Sequence, residues 1–354
     1  MMTLVQCGLR RFALAICAVS MGYAGLAVPA QAQDLRIVAT LPTYAAIARE
    51  ITGDLADVQA IARGDEDAHF VNARPSFAAL IQRADVYIST GLDLELWSPA
   101  LLDRANNAKV LEGGPGHVVA YTGIELLEVP QNVSRAGGDV HVFGNPHIHS
   151  DPINAIVISR NILATLARVD PTHAATFESN AEDFADRVLR RLFGDQLIEM
   201  LGAETLFDLA RGHQFWDFAD NQSFQGRPLA SYVGGWLAAA APFRNQKLVC
   251  YHKNWAYFSA RFRVECAMWV EPKPGIPASP GHVRKVIDFI RENEIPALFA
   301  ANYFSRRQVE RVASRTGATA VIVPEHVNGE EGITDYFTLV DSWVDRLAEA
   351  FASR

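Results

Sequence analysis

The feature that most constrains this chain is an alternation of short apolar segments and amphipathic stretches that stops, gives way to a long helical run, and begins again. Before the break, "LRIVAT" (35–40), "VQAIA" (58–62), "DVYIST" (85–90) and "KVLEG" (109–113) are apolar runs of strand length, separated by helical patterns such as "TYAAIAREITGD" and "PSFAALIQRA". Strands of that kind, spaced by helices, belong to a parallel sheet covered on both faces. After the break "KLVCY" (247–251), "VECAMWVE", "ALFAAN" (297–302) and "TAVIVP" (319–324) repeat the pattern, with "GHVRKVIDFIREN", "SRRQVERVASRTG" and "YFTLVDSWVDRLAEAF" as helices. Between the halves, Ile153 to Val169 reads as one helix. Pro171-Thr172 opens another that runs to about Leu201, with Phe177, Ala181, Phe184, Val188 and Leu192 at helical spacing. A helix of roughly 30 residues spans about 45 Å, which suits a strut between two lobes. The expected fold is α/β: parallel-sheet lobes over 33–170 and 204–354, bridged by a long helix over 171–203.

The first 32 residues stand apart from this pattern. Arg10 and Arg11 precede the apolar run "FALAICAVSMGYAGLAV", and Ala30-Gln31-Ala32 has the small-x-small form of a secretory cleavage site, so residues 1–32 are expected to be a signal peptide. Ser20 and Gly22 interrupt the run, and Cys17 follows Ile16 rather than a small residue, which argues against a membrane anchor and a lipid-attachment site. The formal charge of the chain is −8, and loss of the two arginines takes it to −10. An acidic exported protein is a poor partner for nucleic acid or anionic membrane. Cys250 and Cys266 remain in the mature chain; an oxidising compartment permits a disulfide. Placing one cysteine at the end of a strand and the other at the start of the next argues against it on distance.

In open parallel sheets ligands bind beyond the carboxyl ends of the strands. There the polar residues collect. "VQAIA" runs out to His69, "KLVCY" runs into His252, "ECAMWV" into Glu271 and "TAVIVP" into Glu325 and His326. "GNPHIHSDP" brings His147, with His149 and Asp151, to the junction of the first lobe and the strut. Imidazoles from both halves beside a carboxylate are the donor set of a four-coordinate zinc site. His141 and His149 are expected near the site, whereas His117, His173, His213 and His282 read as ordinary surface or hydrogen-bonded side chains.

Three segments resemble, in order, the zinc/manganese solute-binding receptors of ABC transporters. "DEDAHFVNARPSFAALIQRADVYISTGLDLELW" is similar to the first metal-binding segment of that family, "GNPHIHSDPINA" to its Pro-His-x-x-x-Asp-Pro-x-Asn-Ala segment, and "VCYHKNWAYFSARFRVE" to its Tyr-His segment. The resemblance implies two α/β lobes with a rigid bridging helix, a metal between them, and His69, His147 and His252 as ligands. It also implies a periplasmic location, a permease as partner, and a cargo of zinc more than manganese. The histidine-rich loop of many zinc-specific members is minimal here. The fourth ligand, usually an aspartate after the last strand, is expected to be Glu325, with Glu271, His326, Asp335 or water as alternatives. A monomer is expected.

The rival reading is a secreted zinc hydrolase, which needs an open coordination position and a general base. No H-E-x-x-H helix is present, and the sequence offers no second cluster for a two-metal site. A metal-binding adhesin on the same fold is a third reading. Capture of an ion between two lobes, without catalysis, is the expectation carried forward.

Overall fold

The computed structural model describes residues 35–130, 141–271, 273 and 275–353, so the expected signal segment 1–32 lies outside the described residues. The first lobe is built on β1 (Leu35–Ala39), β2 (Ala56–Ala60), β3 (Val86–Ser89) and β4 (His117–Val119), ordered β2-β1-β3-β4 and parallel throughout. Helices α1 (Pro42–Thr52), α2 (Pro75–Gln82) and α3 (Ser98–Ala105) connect these strands, each with proline in its first turn, where a missing N–H costs nothing. The segment "KVLEG" is not a strand. Asn107 donates from Nδ2 to the carbonyls of Ile81 and Ala84 at 3.0 and 2.7 Å and folds this stretch into turns. The edge strand is instead His117–Val119, beside Tyr87–Ser89.

Two long antiparallel helices follow, α4 (Pro152–Val169) and α5 (Ala174–Phe193), and α5 packs on α1 and α4 as well as on a helix of the second lobe. The expected run to Leu201 is divided at Gly194, whose φ of 84° ends α5 before α6 (Asp195–Leu201) begins. Helices α7 (Ala203–Arg211) and α8 (Phe215–Asn221), the two-residue strands β5 (Ser223–Phe224) and β6 (Arg227–Pro228), and α9 (Gly235–Ala239) lead into the second sheet. That sheet, ordered β10-β9-β7-β8, consists of β7 (Lys247–Cys250), β8 (Glu265–Trp269), β9 (Ala297–Ala301) and β10 (Thr319–Val323), again all parallel. It carries α10 (Ala256–Phe262), α11 (Pro280–Glu292), α12 (Arg306–Thr316) and the closing α13 (Tyr336–Ala352).

Alternation along the central strands feeds two cores. Leu248, Cys250, Ala297, Phe299 and Ala301 face a cluster continuous with the first lobe, α4 and α5; Val249, Tyr251, Leu298 and Ala300 face a smaller cluster under α11 and α12. Burial on both faces is why these strands read as unbroken apolar runs.

Cys250 and Cys266 are disulfide-bonded, with Cα atoms 5.4 Å apart, against the expectation of free thiols. The strands are so short that start and end differ little: Cys266 lies opposite Leu248, two residues before Cys250, and the register shifts between Leu248 and Val249.

The two lobes meet at several close contacts. A Cβ on Gly64, in the loop after β2, would lie 2.3 Å from the carbonyl carbon of Asn328 in the loop after β10, so only glycine fits. Arg261 on α10 donates from Nε and Nη2 to the two carboxylate oxygens of Asp151, each at 2.8 Å, and from Nη1 to the Ala210 carbonyl. Both side chains of that pair are almost fully buried. Asp151 also caps α4, accepting from the Ile153 N–H at 2.9 Å. In "GNPHIHSDP" the aspartate therefore serves as anchor and cap.

Candidate metal centre

Four imidazoles gather between the lobes. The His69 ring centroid lies 5.0 Å from that of His141, 5.3 Å from that of His147 and 6.3 Å from that of His252. His147 stands 6.1 Å from His141 and 6.5 Å from His252. His69 belongs to the 3₁₀ turn Ala68–Phe70 after β2, held by the Trp97 Nε1–H on the Ala68 carbonyl at 2.8 Å. His147 precedes the turn that enters α4, and His252 follows β7 directly.

Each of the three expected ligands has its Nδ1 engaged by an oxygen acceptor. Asp67 Oδ1 takes Nδ1 of His69 at 2.7 Å, Asn145 Oδ1 takes Nδ1 of His147 at 2.9 Å, and the Glu271 carbonyl takes Nδ1 of His252 at 3.0 Å. An acceptor at Nδ1 fixes the proton there and leaves Nε2 with its lone pair, the state a metal needs. In two cases the device is local. Asp67 and Asn145 each stand two residues before their histidine, and the same oxygen also accepts that histidine's backbone N–H at 3.0 Å. The Asn145 amide further donates from Nδ2 to Glu128 Oε2 and to the Lys253 carbonyl, tying the His147 turn to the residue after His252.

Burial disfavours the charged form of three of these rings. It pushes His252 down to about 4 and His141 to about 3, and it drives His147 well below the ordinary range, with the neighbouring imidazoles adding to the effect. Asp67 is pushed up by its own burial, but its bonds to His69 outweigh this and its pKa is lowered. His141, expected only near the site, places Nε2 3.0 Å from Nε2 of His69, within the spacing of two ligands on one ion.

Glu325, two residues beyond β10, is buried and lies with Oε1 3.8 Å from Nε2 of His147 and 3.8 Å from Nε2 of His149. Its Oε2 accepts from Asn254 Nδ2 at 2.7 Å and from the Tyr303 hydroxyl. Burial pushes this carboxyl up to about 7. The alternatives to Glu325 are engaged elsewhere or lie deeper. The Glu271 side chain accepts from the Gly275 N–H at 3.1 Å, and Asp335 caps α13 through the Thr338 N–H at 2.8 Å. His326 joins His149 and Glu325 in a group whose ligand atoms lie within 4.8 Å of one another. The remaining histidines bond away from the cluster: His117 to Ser89, His173 to Asp170 and His282 to the Trp269 carbonyl, with His213 3.9 Å from Glu125.

Comparison with known proteins gives the family and the fold. Residues 37–191 and 236–350 match the family described as "Zinc-uptake complex component A periplasmic". The iron-binding protein YfeA of Yersinia pestis is 27% identical over 327 residues, covering 90% of this chain and 87% of its own. The manganese ABC transporter substrate-binding lipoprotein PsaA of Streptococcus mitis is 22% identical over 328 residues, with 91% of each chain covered. Among solved structures, a crystal structure of ZnuA superimposes with a TM-score of 0.64 at 20% identity, covering 90% of this chain and 99% of that one. A manganese-bound periplasmic metal-binding protein from candidatus Liberibacter asiaticus gives 0.61 at 18% identity, with 90% and 99% covered. These two show a shared fold.

Proposed function

Because the chain belongs to the family of periplasmic zinc-uptake components, we propose that it captures a divalent transition metal, zinc, outside the cytoplasm and delivers it to the permease of an ABC transporter. The observation that carries the choice is the set of three imidazoles from both lobes, each with Nδ1 engaged by oxygen, which makes Nε2 the nitrogen that would meet an ion. His69, His147 and His252 are the ligands, Glu325 Oε1 supplies the carboxylate, and His141 is an accessory imidazole at the half-buried edge. A nitrogen-rich set favours zinc over manganese, which prefers oxygen ligands. YfeA and PsaA carry iron and manganese in their names, so the donor set of this chain, rather than its kinship, supports zinc.

A carrier needs no general base and no path for a second substrate. Locking the ligand tautomers in advance lowers the reorganisation cost of binding and keeps protons from competing near neutrality. With residues 1–32 read as a signal segment, the mature chain would work as a monomer in the periplasm. Titration of the metal-free mature protein with zinc against a chromophoric chelator tests the reading. One tight capture event, weakened by orders of magnitude in His252→Ala, is expected. Wild-type affinity in that variant would remove His252 from the site, and a tenfold preference for manganese would overturn the choice of zinc.

A further inference from the structure

We propose that His149, Glu325 and His326 form a second, inner position for a divalent transition metal ion, adjacent to the capture site and sharing the Glu325 carboxylate with it. The three side chains are 0%, 1% and 1% exposed, and one ligand atom from each lies within 4.8 Å of the others. Both ring nitrogens of His149 are buried without a hydrogen-bond partner. The Glu325 backbone carbonyl lies near the ring but does not reach hydrogen-bond geometry, and the nearest carboxylate oxygen is 3.8 Å from Nε2. A buried imidazole with nothing to bond is destabilising, so a wholly apolar contact would serve packing better there.

The surrounding groups select which atoms remain. Thr43 Oγ1 engages Nδ1 of His326 at 3.2 Å and leaves Nε2 as the metal-binding nitrogen. Asn254 and Tyr303 both occupy Glu325 Oε2, which leaves Oε1, equidistant at 3.8 Å from Nε2 of His147 and of His149. One oxygen thus stands between the two clusters, as a bridging carboxylate does. Ligand atoms on a tetrahedral zinc at roughly 2.0–2.1 Å are about 3.3–3.4 Å apart, so an ion would draw this group together by at most about 1.5 Å per contact. Two imidazoles and a carboxylate are a known zinc donor set. The rings run inward in steps: His141 to His69 at 5.0 Å, His69 to His147 at 5.3 Å, then across Glu325 to His149 and His326, whose centroids are 4.7 Å apart.

The proposal rests on the reading of the cleft as a capture site only through the shared carboxylate, and its test separates the two. Metal-free protein is saturated with zinc chloride, freed of excess by gel filtration, and its zinc counted by elemental analysis and native mass spectrometry. Two zinc ions per wild-type chain are expected, one in His326→Asn and one in His252→Ala. His149→Gln, also expected to hold one, replaces His326→Asn if that variant fails to show the wild-type circular dichroism spectrum. One ion in the wild type that is lost in His252→Ala would overturn the inner position, leave a water-filled polar pocket, and keep the capture reading. Two ions retained in both inner variants would also overturn it, because the second ion would lie elsewhere. No ion in the wild type would overturn both.

Discussion

Replacing Arg261 with methionine isolates what holds the two histidine-bearing segments in register. Arg261 stands nine residues after His252, and Asp151 four after His147, so their bidentate pair lies behind the site and joins the elements that carry it. Methionine keeps most of the apolar stem but leaves the Asp151 carboxylate buried with only the Ile153 N–H as donor, and the Ala210 carbonyl loses the guanidinium. Removing one member of such a pair costs about 3–5 kcal/mol, because the remaining charge stays desolvated and unpaired. For a chain of this size each kcal/mol moves the thermal midpoint by roughly 2–4 °C, so a fall of about 6–20 °C is expected. Scanning calorimetry of the metal-free protein in chelator measures it. Arg261→Met with Asp151→Asn removes the stranded charge and should recover at least half of the loss, since paired removal of buried ions is often near neutral. A midpoint in Arg261→Met within about 2 °C of wild type, or a double variant no better than the single, would refute the reasoning.

Four further outcomes are expected. Asn145→Ala frees the His147 ring and unties it from Lys253, so zinc affinity should drop about 10–100-fold in chelator competition; an unchanged constant would show that packing alone orients the ring. The histidines held down to about 4 and about 3 are neutral in the folded chain, whereas the unfolded chain takes up their protons near 6.5. The metal-free protein should therefore lose stability as pH falls from about 6.5 toward 4, and equal thermal midpoints at pH 7.5 and 5 would contradict this. Glu325 runs the other way: pushed up to about 7 from an ordinary 4.5, its ionised form costs the metal-free protein about 3 kcal/mol above pH 7 and little below 4.5. Glu325→Gln should raise the midpoint at pH 8 but not at pH 4.5, and a gain equal at both pH values would refute the cause. The Cys250–Cys266 bond should leave no titratable thiol in the mature protein denatured without reductant, and Cys266→Ser should cost about 2–3 kcal/mol of stability in urea unfolding.

Much of this molecule is legible in its sequence because strands buried on both faces leave apolar runs, and because side chains just beyond their ends must meet. His252, just after β7, reaches the cluster for that reason, while His69 and His147 reach it on or beside short turns. What escapes is set by conformation after the strands. Treating "PEH" as extended puts Glu325 and His326 on opposite sides, but the chain bends there and both enter one cluster. The cysteines look distant only if strands are long, and β7 has four residues. "KVLEG" has strand composition, yet the Asn107 side chain commits it to turns through two bonds that no periodicity reveals. One signal was present and unused: an aspartate or asparagine two residues before a histidine, in "DAH" and "NPH", marks a ring whose Nδ1 is already engaged.

The approach at Gly64 has a consequence for unloading. Main chain meets main chain there with no side chain between, and Thr43 reaches across to His326 while Tyr336 reaches across to the His149 carbonyl. A seam of that kind has no hinge to swing and little slack to compress, so the ion cannot leave by the halves parting freely. On the proposed reading, departure becomes a local event in the turns that carry the histidines.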